Sequence, residues 1–290
     1  MRRRLGILAL VTLGLVSGGC VPPPPEENLA RDYGEETTMG ALQAAGRVRI
    51  GITTDAPPLG YVDPRTEEPA GFTVALGREI AETLGVRAVF TPAPSDRLLE
   101  LVSSDDLDIS FPNVPLTEEA VRGHSFSTPY VLVHQRLLVR ASSPLRAVED
   151  LAGERVCAAI DPATSVAPDA IEPRVQVLRA AGVAGCIEPF RTREVAAITA
   201  PDAFLRHAVE VLAPHTRAKM VGDELSTEGY GAAVTLGGGW LPFVNAVLGA
   251  AELDGTWAEA YTRWVGPNPG EPPELSAEEA AALFPSTAAQ

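Results

Sequence analysis

Lysine is almost missing from this chain of 290 residues: Lys219 is the single one. All basic residues together number 23 against 38 acids, for a formal charge of −15. No basic field is present to displace counterions, which excludes nucleic acid as a partner. Histidine is sparse too. His124, His134, His207 and His215 are scattered, and no two stand four apart as a metal-binding pair. The chain has no G-x-S-x-G nucleophile elbow and no phosphate-cradling Gly-Lys loop. Gly237-Gly238-Gly239 follows a strand pattern but lacks the lysine and reads as a turn. These absences predict a protein that is not an enzyme and holds neither metal nor cofactor. Long apolar runs are also wanting. Leu5 to Val16 is the longest, and it is too short for a comfortable membrane span.

That run sits in a meaningful place. Arg2, Arg3 and Arg4 precede it, and Ser17-Gly18-Gly19-Cys20 follows. A charged start, a short apolar core and small residues form an export signal, expected over residues 1–20. A cysteine directly after small residues resembles a lipobox. Cleavage there would leave Cys20 lipidated and the chain anchored to the extracytoplasmic face of the cell membrane. The alternatives are a plain secretory signal and a non-cleaved anchor. Residues 21–45, with Pro22 to Pro25, read as a semi-rigid tether and a lead-in helix. Two cysteines remain, Cys157 and Cys186. Outside the cytoplasm an even pair reads as a disulfide, with two buried thiols as the alternative.

With 290 residues, 46% of them hydrophobic, the chain is long enough for two lobes of ordinary domain size and can build real cores. Val48 to Thr53 reads as a strand. Phe72, Leu76, Ile80 and Leu84 recur every four residues as one apolar stripe, closed by Gly85. Val86 to Thr91 reads as a strand, with Ser95 capping the helix after it. Leu107 to Phe111 is an apolar strand broken at Pro112 and Pro115, and Thr117-Glu118-Glu119 marks a helix start. Tyr130 to Val139 is a long alternating strand. Val175 to Gly182 is expected to be helical, and Arg155–Ile160, Cys186–Phe190 and Val195–Thr199 are expected as strands. Arg217 to Asp223 and Tyr230 to Leu236 read as two return strands. Trp240, Val244, Val247, Leu248 and Ala251 form a helical stripe; Trp257, Tyr261, Trp264 and Val265 form another. Ser276-Ala277-Glu278-Glu279 is a capping box for a short terminal helix.

The order of these motifs resembles a known family. Ile50-Gly51 with Asp55-Ala56-Pro57-Pro58-Leu59-Gly60 is followed by Gly71-Phe72. Leu107-Asp108-Ile109 precedes Leu116-Thr117-Glu118-Glu119 and Ser125-Phe126-Ser127-Thr128-Pro129-Tyr130. Asp150-Leu151-Ala152-Gly153 opens a second lobe, and Asp254-Gly255-Thr256-Trp257 through Trp264 closes the first. The series is similar to bacterial extracellular solute-binding protein family 3, and within it to the actinobacterial glutamate/glutamine-type branch. The resemblance runs from about Ala41 to Gly266. It implies a two-lobed periplasmic-binding-protein-like fold (type II). Each lobe is then a mostly parallel sheet flanked by helices, and two strands form the hinge. The expected limits are 46–140 and 216–266 for the first lobe, 141–215 for the second and 267–290 for a tail.

The resemblance also implies a function. A polar or acidic amino acid of the glutamate, glutamine or aspartate type is captured between the lobes and delivered to the permease of an ABC importer. A monomer is expected. Rival readings are a degenerate sensor or scaffold lipoprotein of the same fold, and a dehydratase-like lyase. Ligand contacts are expected from Asp55 and Tyr61 in the first loop and from Asn113 and Thr117 in the broken stretch. Arg97 stands where relatives use a carboxylate clamp, or else it pairs with Glu100 or Asp96. Thr164 and Ser165 would present a helix N-terminus to a carboxylate. Asp202 stands near the place of an ammonium-binding acid, or else supplies helix N-terminal charge. One departure matters: the family's carboxylate-clamping arginine, three residues after the threonine, is Ala120 here. Arg122 is the nearest substitute.

Overall fold

The computed structural model describes residues 32–159, 174–235 and 237–267. The export signal, Cys20, the first part of the tether, Thr164, Ser165 and the terminal capping box lie outside the described residues.

Helix α1 (Thr38–Ala45) leads into β1 (Arg47–Ile52). A small antiparallel sheet follows from β2 (Asp55–Ala56), β3 (Gly60–Val62) and β4 (Pro69–Ala70). Helix α2 (Phe72–Leu84) forms where the four-residue apolar repeat predicts it. Phe72, Leu76, Ile80 and Leu84 are each at most 1% exposed, so each contributes about 2 kcal/mol of apolar burial. Gly71 before it has φ of 116°, and an added Cβ would stand 2.4 Å from the Leu59 carbonyl oxygen. Only glycine permits that entry. Gly85 closes the helix in the left-handed conformation.

Strand β5 (Arg87–Pro92), helix α3 (Ser95–Ser103), strand β6 (Ile109–Phe111) and helix α4 (Glu118–Gly123) complete the first pass through this lobe. Ser95 is the first residue of α3 and not its cap. Pro94 takes the N-cap place, and no side chain caps the helix. The long strand β7 (Ser125–Arg140) then leaves the lobe. After a 3-10 turn at Val148–Leu151 come β8 (Arg155–Ala159), β9 (Gln176–Ala180), helix α5 (Ala184–Arg191), β10 (Ala197–Pro201) and helix α6 (Asp202–Leu212). Strand β11 (Ala218–Val234) returns, and α7 (Trp240–Asp254) and α8 (Thr256–Trp264) pack on the first lobe.

Two expectations were exchanged here. The segment expected as a helix from Val175 contains strand β9, and the strand expected at Cys186–Phe190 lies in helix α5. Cys186 and Phe190 are both fully buried at a spacing of four, which is a helical spacing. Strand β9 pairs in parallel with β8 at the sheet edge, so its residues are covered on one side only. The two expected return strands are a single strand, β11, with a register shift between Val221 and Ser226.

The main sheet has the order β5-β1-β6-β11-β7-β10-β8-β9. Strands β5, β1 and β6 are parallel to one another, as are β10, β8 and β9. Between these groups run β7 and β11, antiparallel and shared by both. At about 3.3 Å per residue, each is roughly 50 Å long and spans both lobes. This is the two-strand hinge. The beginning of β7 and the end of β11 belong to the first lobe, while Gln135 to Val139 already pairs with β10 of the second.

The first lobe's core joins α2, α7 and α8 over β1 and the hinge strands. Indole N–H groups fix that packing: Trp257 Nε1 donates to the Tyr130 carbonyl at 2.7 Å, and Trp240 Nε1 to that of Asp108 at 2.8 Å. The second lobe packs α5 and α6 on its sheet, with the Cys157–Cys186 disulfide inside this core. The disulfide expected from the sequence is therefore present, with its Cα atoms 5.6 Å apart.

Candidate ligand-binding cleft

The carboxyl ends of the parallel strands from both lobes face one cavity of about 470 Å³. Residues just beyond β1, β6, β9 and the last residues of β8 and β10 line it: Thr53, Asn113, Ala181, Ala159 and Pro201. Ligands of α/β proteins bind at this end of the strands.

The first lobe supplies the polar floor. Thr53 Oγ1 donates to the Gly60 carbonyl at 2.8 Å and accepts from Asn113 Nδ2 at 3.0 Å. The Tyr130 hydroxyl donates to Asn113 Oδ1 at 2.7 Å. Burial raises the Tyr130 pKa, so the phenol keeps its proton and remains the donor. Asn113 holds a φ of 54°, a conformation its short polar side chain tolerates better than most. The proline breaks on either side and the three-membered network set this loop. Asp55, Ala56 and Pro57 form one rim, and Pro94, Ser95 and Asp96 at the start of α3 form the next. Asp55 and Asp96 are both exposed, and Asp96 Oδ1 accepts the Arg97 backbone N–H at 2.8 Å.

The second lobe supplies an apolar wall. Phe204, His207, Ala208 and Val211 lie along one face of α6, at i, i+3, i+4 and i+7. Ile187 of α5 and Val183 before it extend that wall, and Tyr230 of β11 closes the back. Burial lowers the His207 pKa, with Glu210 acting in the opposite sense. The imidazole is therefore biased toward its neutral form.

Of the expected contact residues, the structure brings Asp55 and Asn113 together in this lining. Tyr61 packs edge-on against Trp264 instead, with ring centroids 6.5 Å apart. Arg97 turns out to solvent and pairs with Glu100 at 2.7 Å. Thr117 and Arg122, before and inside α4, are not among the lining residues. Asp202 is only 7% exposed; it accepts the His134 N–H at 3.0 Å and faces Arg206 Nη2 at 3.4 Å. These contacts tie it to the hinge strand β7 and to its own helix. Thr164 and Ser165 lie outside the described residues. Phe204, His207 and Tyr230 were missed as lining residues. The available signal was a second apolar face on α6, beside the buried Leu205 and Leu212. Among the described residues no group of three metal-ligating side chains is present, and no helix is long and apolar enough to cross a membrane.

Known proteins share this architecture. The ABC transporter glutamine-binding protein GlnH of Bacillus subtilis is 26% identical over 242 residues, covering 82% of this chain and 88% of that protein. Cyclohexadienyl dehydratase of Pseudomonas aeruginosa is 31% identical over 99 residues, 33% of this chain and 36% of its own. A solved ancestral arginine-binding protein bound to arginine superposes with a TM-score of 0.63 at 28% identity, covering 76% of this chain and 99% of its own. The model of the bacterial extracellular solute-binding proteins, family 3, matches residues 48–267. The two lobes, the paired hinge strands and the cavity at the strand ends agree with that match. The chain belongs to the bacterial extracellular solute-binding proteins, family 3.

Proposed function

We propose that this protein captures a small nitrogen-bearing solute between its lobes and hands it to the permease of an ABC importer. The observation that carries this reading is the cavity of about 470 Å³ shared by both lobes across the β7–β11 hinge. Bending about two long strands closes such a cleft and buries its contents. The likeness to a glutamine-binding protein makes amino acids the first class to test. Among glutamate, aspartate and glutamine, the neutral glutamine is favoured, because no lysine or arginine among the described lining residues awaits a side-chain carboxylate. Lipidation at Cys20 would hold the protein at the extracytoplasmic membrane face, as a monomer. The lobe limits 46–140, 141–215 and 216–266 are part of the same proposal. A formed cavity speaks against the degenerate scaffold. The dehydratase likeness spans only 99 residues and carries no turnover reading.

The test is a thermal-shift screen of amino acids and simple amines, followed by small-angle scattering with any hit. A ligand at a hundred times its Kd adds about 2.7 kcal/mol to stability. Stabilisation together with a smaller radius of gyration supports capture by closure. A flat screen over both classes overturns it.

A further inference from the structure

We infer that the cleft selects an organic cation with an apolar body and no free carboxylate: an amine in preference to its parent amino acid. The inference rests on the solute-capture reading and narrows the ligand class of the same site.

The charges around the cavity point one way. Asp55 and Asp96 are the carboxylates of the lining, both on the first lobe, and no lysine or arginine faces them among the described lining residues. His207 is the lining's remaining titratable cation, and it sits on the apolar wall of the second lobe. A carboxylate enclosed here loses its water without gaining a counter-charge. An ammonium group gains two.

Backbone donors are reduced as well. Pro57, Pro94 and Pro201 occupy lining positions where most residues would offer an N–H, and proline has none. Thr53 Oγ1 spends its proton on the Gly60 carbonyl, and one of the two Asn113 Nδ2 protons goes to Thr53. Helix N-termini are the usual remedy for missing cations. The first turn of α3 already carries Asp96, and that of α6 already carries Asp202. Each acid complements its own helix end from within. The start of α5 is the lining helix end with no acid in its first turn, so it is where a carboxylate would go if the parent amino acid proved the better ligand. Opposite the two rim acids stand Phe204, Val211 and Ile187, which desolvate an apolar body.

Matched pairs test this on the full chain in detergent, by titration calorimetry: phenethylamine against phenylalanine, and agmatine against arginine. The expected result is a Kd at least tenfold lower for the amine than for its parent in one or both pairs. The Asp55→Asn/Asp96→Asn variant should weaken that amine tenfold or more. Because the wild-type comparison needs no variant, a misfolded variant does not spoil it. If the parent amino acids bind as tightly as the amines or tighter, the inference fails while solute capture stands. An intact, folded double variant with unchanged amine affinity overturns it equally. If neither amines nor amino acids bind, both readings fall.

Discussion

The carboxylate of Asp202, in the first turn of α6, accepts the backbone N–H of His134 in the hinge strand β7 at 3.0 Å. One buried acid therefore ties the second lobe's cavity-lining helix to the strand that crosses between lobes. Its other oxygen faces Arg206, whose Nε is buried without a hydrogen-bond partner of its own. Asp202→Ala removes an acceptor and leaves a buried N–H and a cation unmatched. The expected cost is about 2 kcal/mol, a Tm lower by about 5 °C for a chain of this size. Asp202→Asn keeps an oxygen acceptor and should lose about half as much. Calorimetric melting of the two variants checks the order.

The disulfide joins β8 to α5 across 29 residues of sequence, with both cysteines fully buried. Closing a loop of that length restricts the unfolded chain by roughly 3 kcal/mol. The paired substitution Cys157→Ala/Cys186→Ala should lower denaturant stability by about that much, with a small added loss from the cavity left behind. Urea melts of wild type and variant give the number. Equal midpoints would refute a stabilising bridge.

Much of this was legible in the chain. The α2 stripe needs only its own spacing, since four large apolar residues at i+4 intervals must share one face. Tyr130 to Val139 alternates because one face of the hinge strand is buried and the other only partly covered: Val131, Val133 and Leu137 are buried, while Leu132, His134 and Arg136 between them are half-buried. Phe72 and Trp257 read as core, and their rings meet edge-on at 5.8 Å between centroids. The second lobe was harder to read. Pro189 lies inside α5, where proline normally argues against a helix, and only the spacing of Cys186 and Phe190 betrays it. Strand β9 is an edge strand and shows only weak alternation in burial. In the cleft, Asp55 and Asn113 were legible because glycine and proline mark the loops at strand ends. Phe204, His207 and Tyr230 were not, because a wall that faces an open cleft has the same composition as one that faces a core. Arg97 was ambiguous for a related reason: sequence places a charge on a helix, but not the direction it turns.

Gly71 should tolerate no side chain. At φ of 116°, Gly71→Ala places a methyl group 2.4 Å from the Leu59 carbonyl oxygen, and backbone cannot give way as a side chain can. The Phe72 and Thr73 N–H groups donate to the carbonyls of Pro58 and Leu59 in the same turn, so the strain passes into the loop that carries the Asp55 rim. A loss of about 3 kcal/mol or more is expected. Gly46→Ala is the control. Gly46 also has positive φ, but nothing lies within 4 Å of its added Cβ, so it should cost only about 1 kcal/mol.

Stability should fall on the acid side partly through His207. Burial lowers its pKa below the ordinary value of 6.5, while the unfolded chain keeps that value. In the window between the two, the unfolded state binds more protons, so stability rises with pH. The contribution is complete above pH 6.5 and is lost as pH falls through the folded pKa. His207→Asn removes the titration, so Tm measured from pH 8 down to pH 5 should decline less steeply in the variant than in wild type. Parallel slopes would show that His207 is not responsible.

Asp96 and Arg97 are neighbours in the first turn of α3 with opposite prospects. Asp96 lines the cavity, whereas Arg97 leaves it for Glu100, an exposed pair three residues apart on one helix. Such pairs contribute about 0.5 kcal/mol or less. Arg97→Ala should therefore change neither stability nor solute affinity by more than about threefold, the factor that 0.5 to 0.7 kcal/mol represents. Asp96→Asn keeps the side chain's shape and its acceptor for the Arg97 N–H, but removes a charge from the rim. Its effect should depend on the solute: weaker binding for a cationic ligand, little change for a neutral one. Calorimetric titration of both variants with the same solute separates the two residues. If Arg97→Ala were the damaging change, the side chain would have to swing from Glu100 into the cleft on binding, and the anionic amino acids would regain the stronger claim.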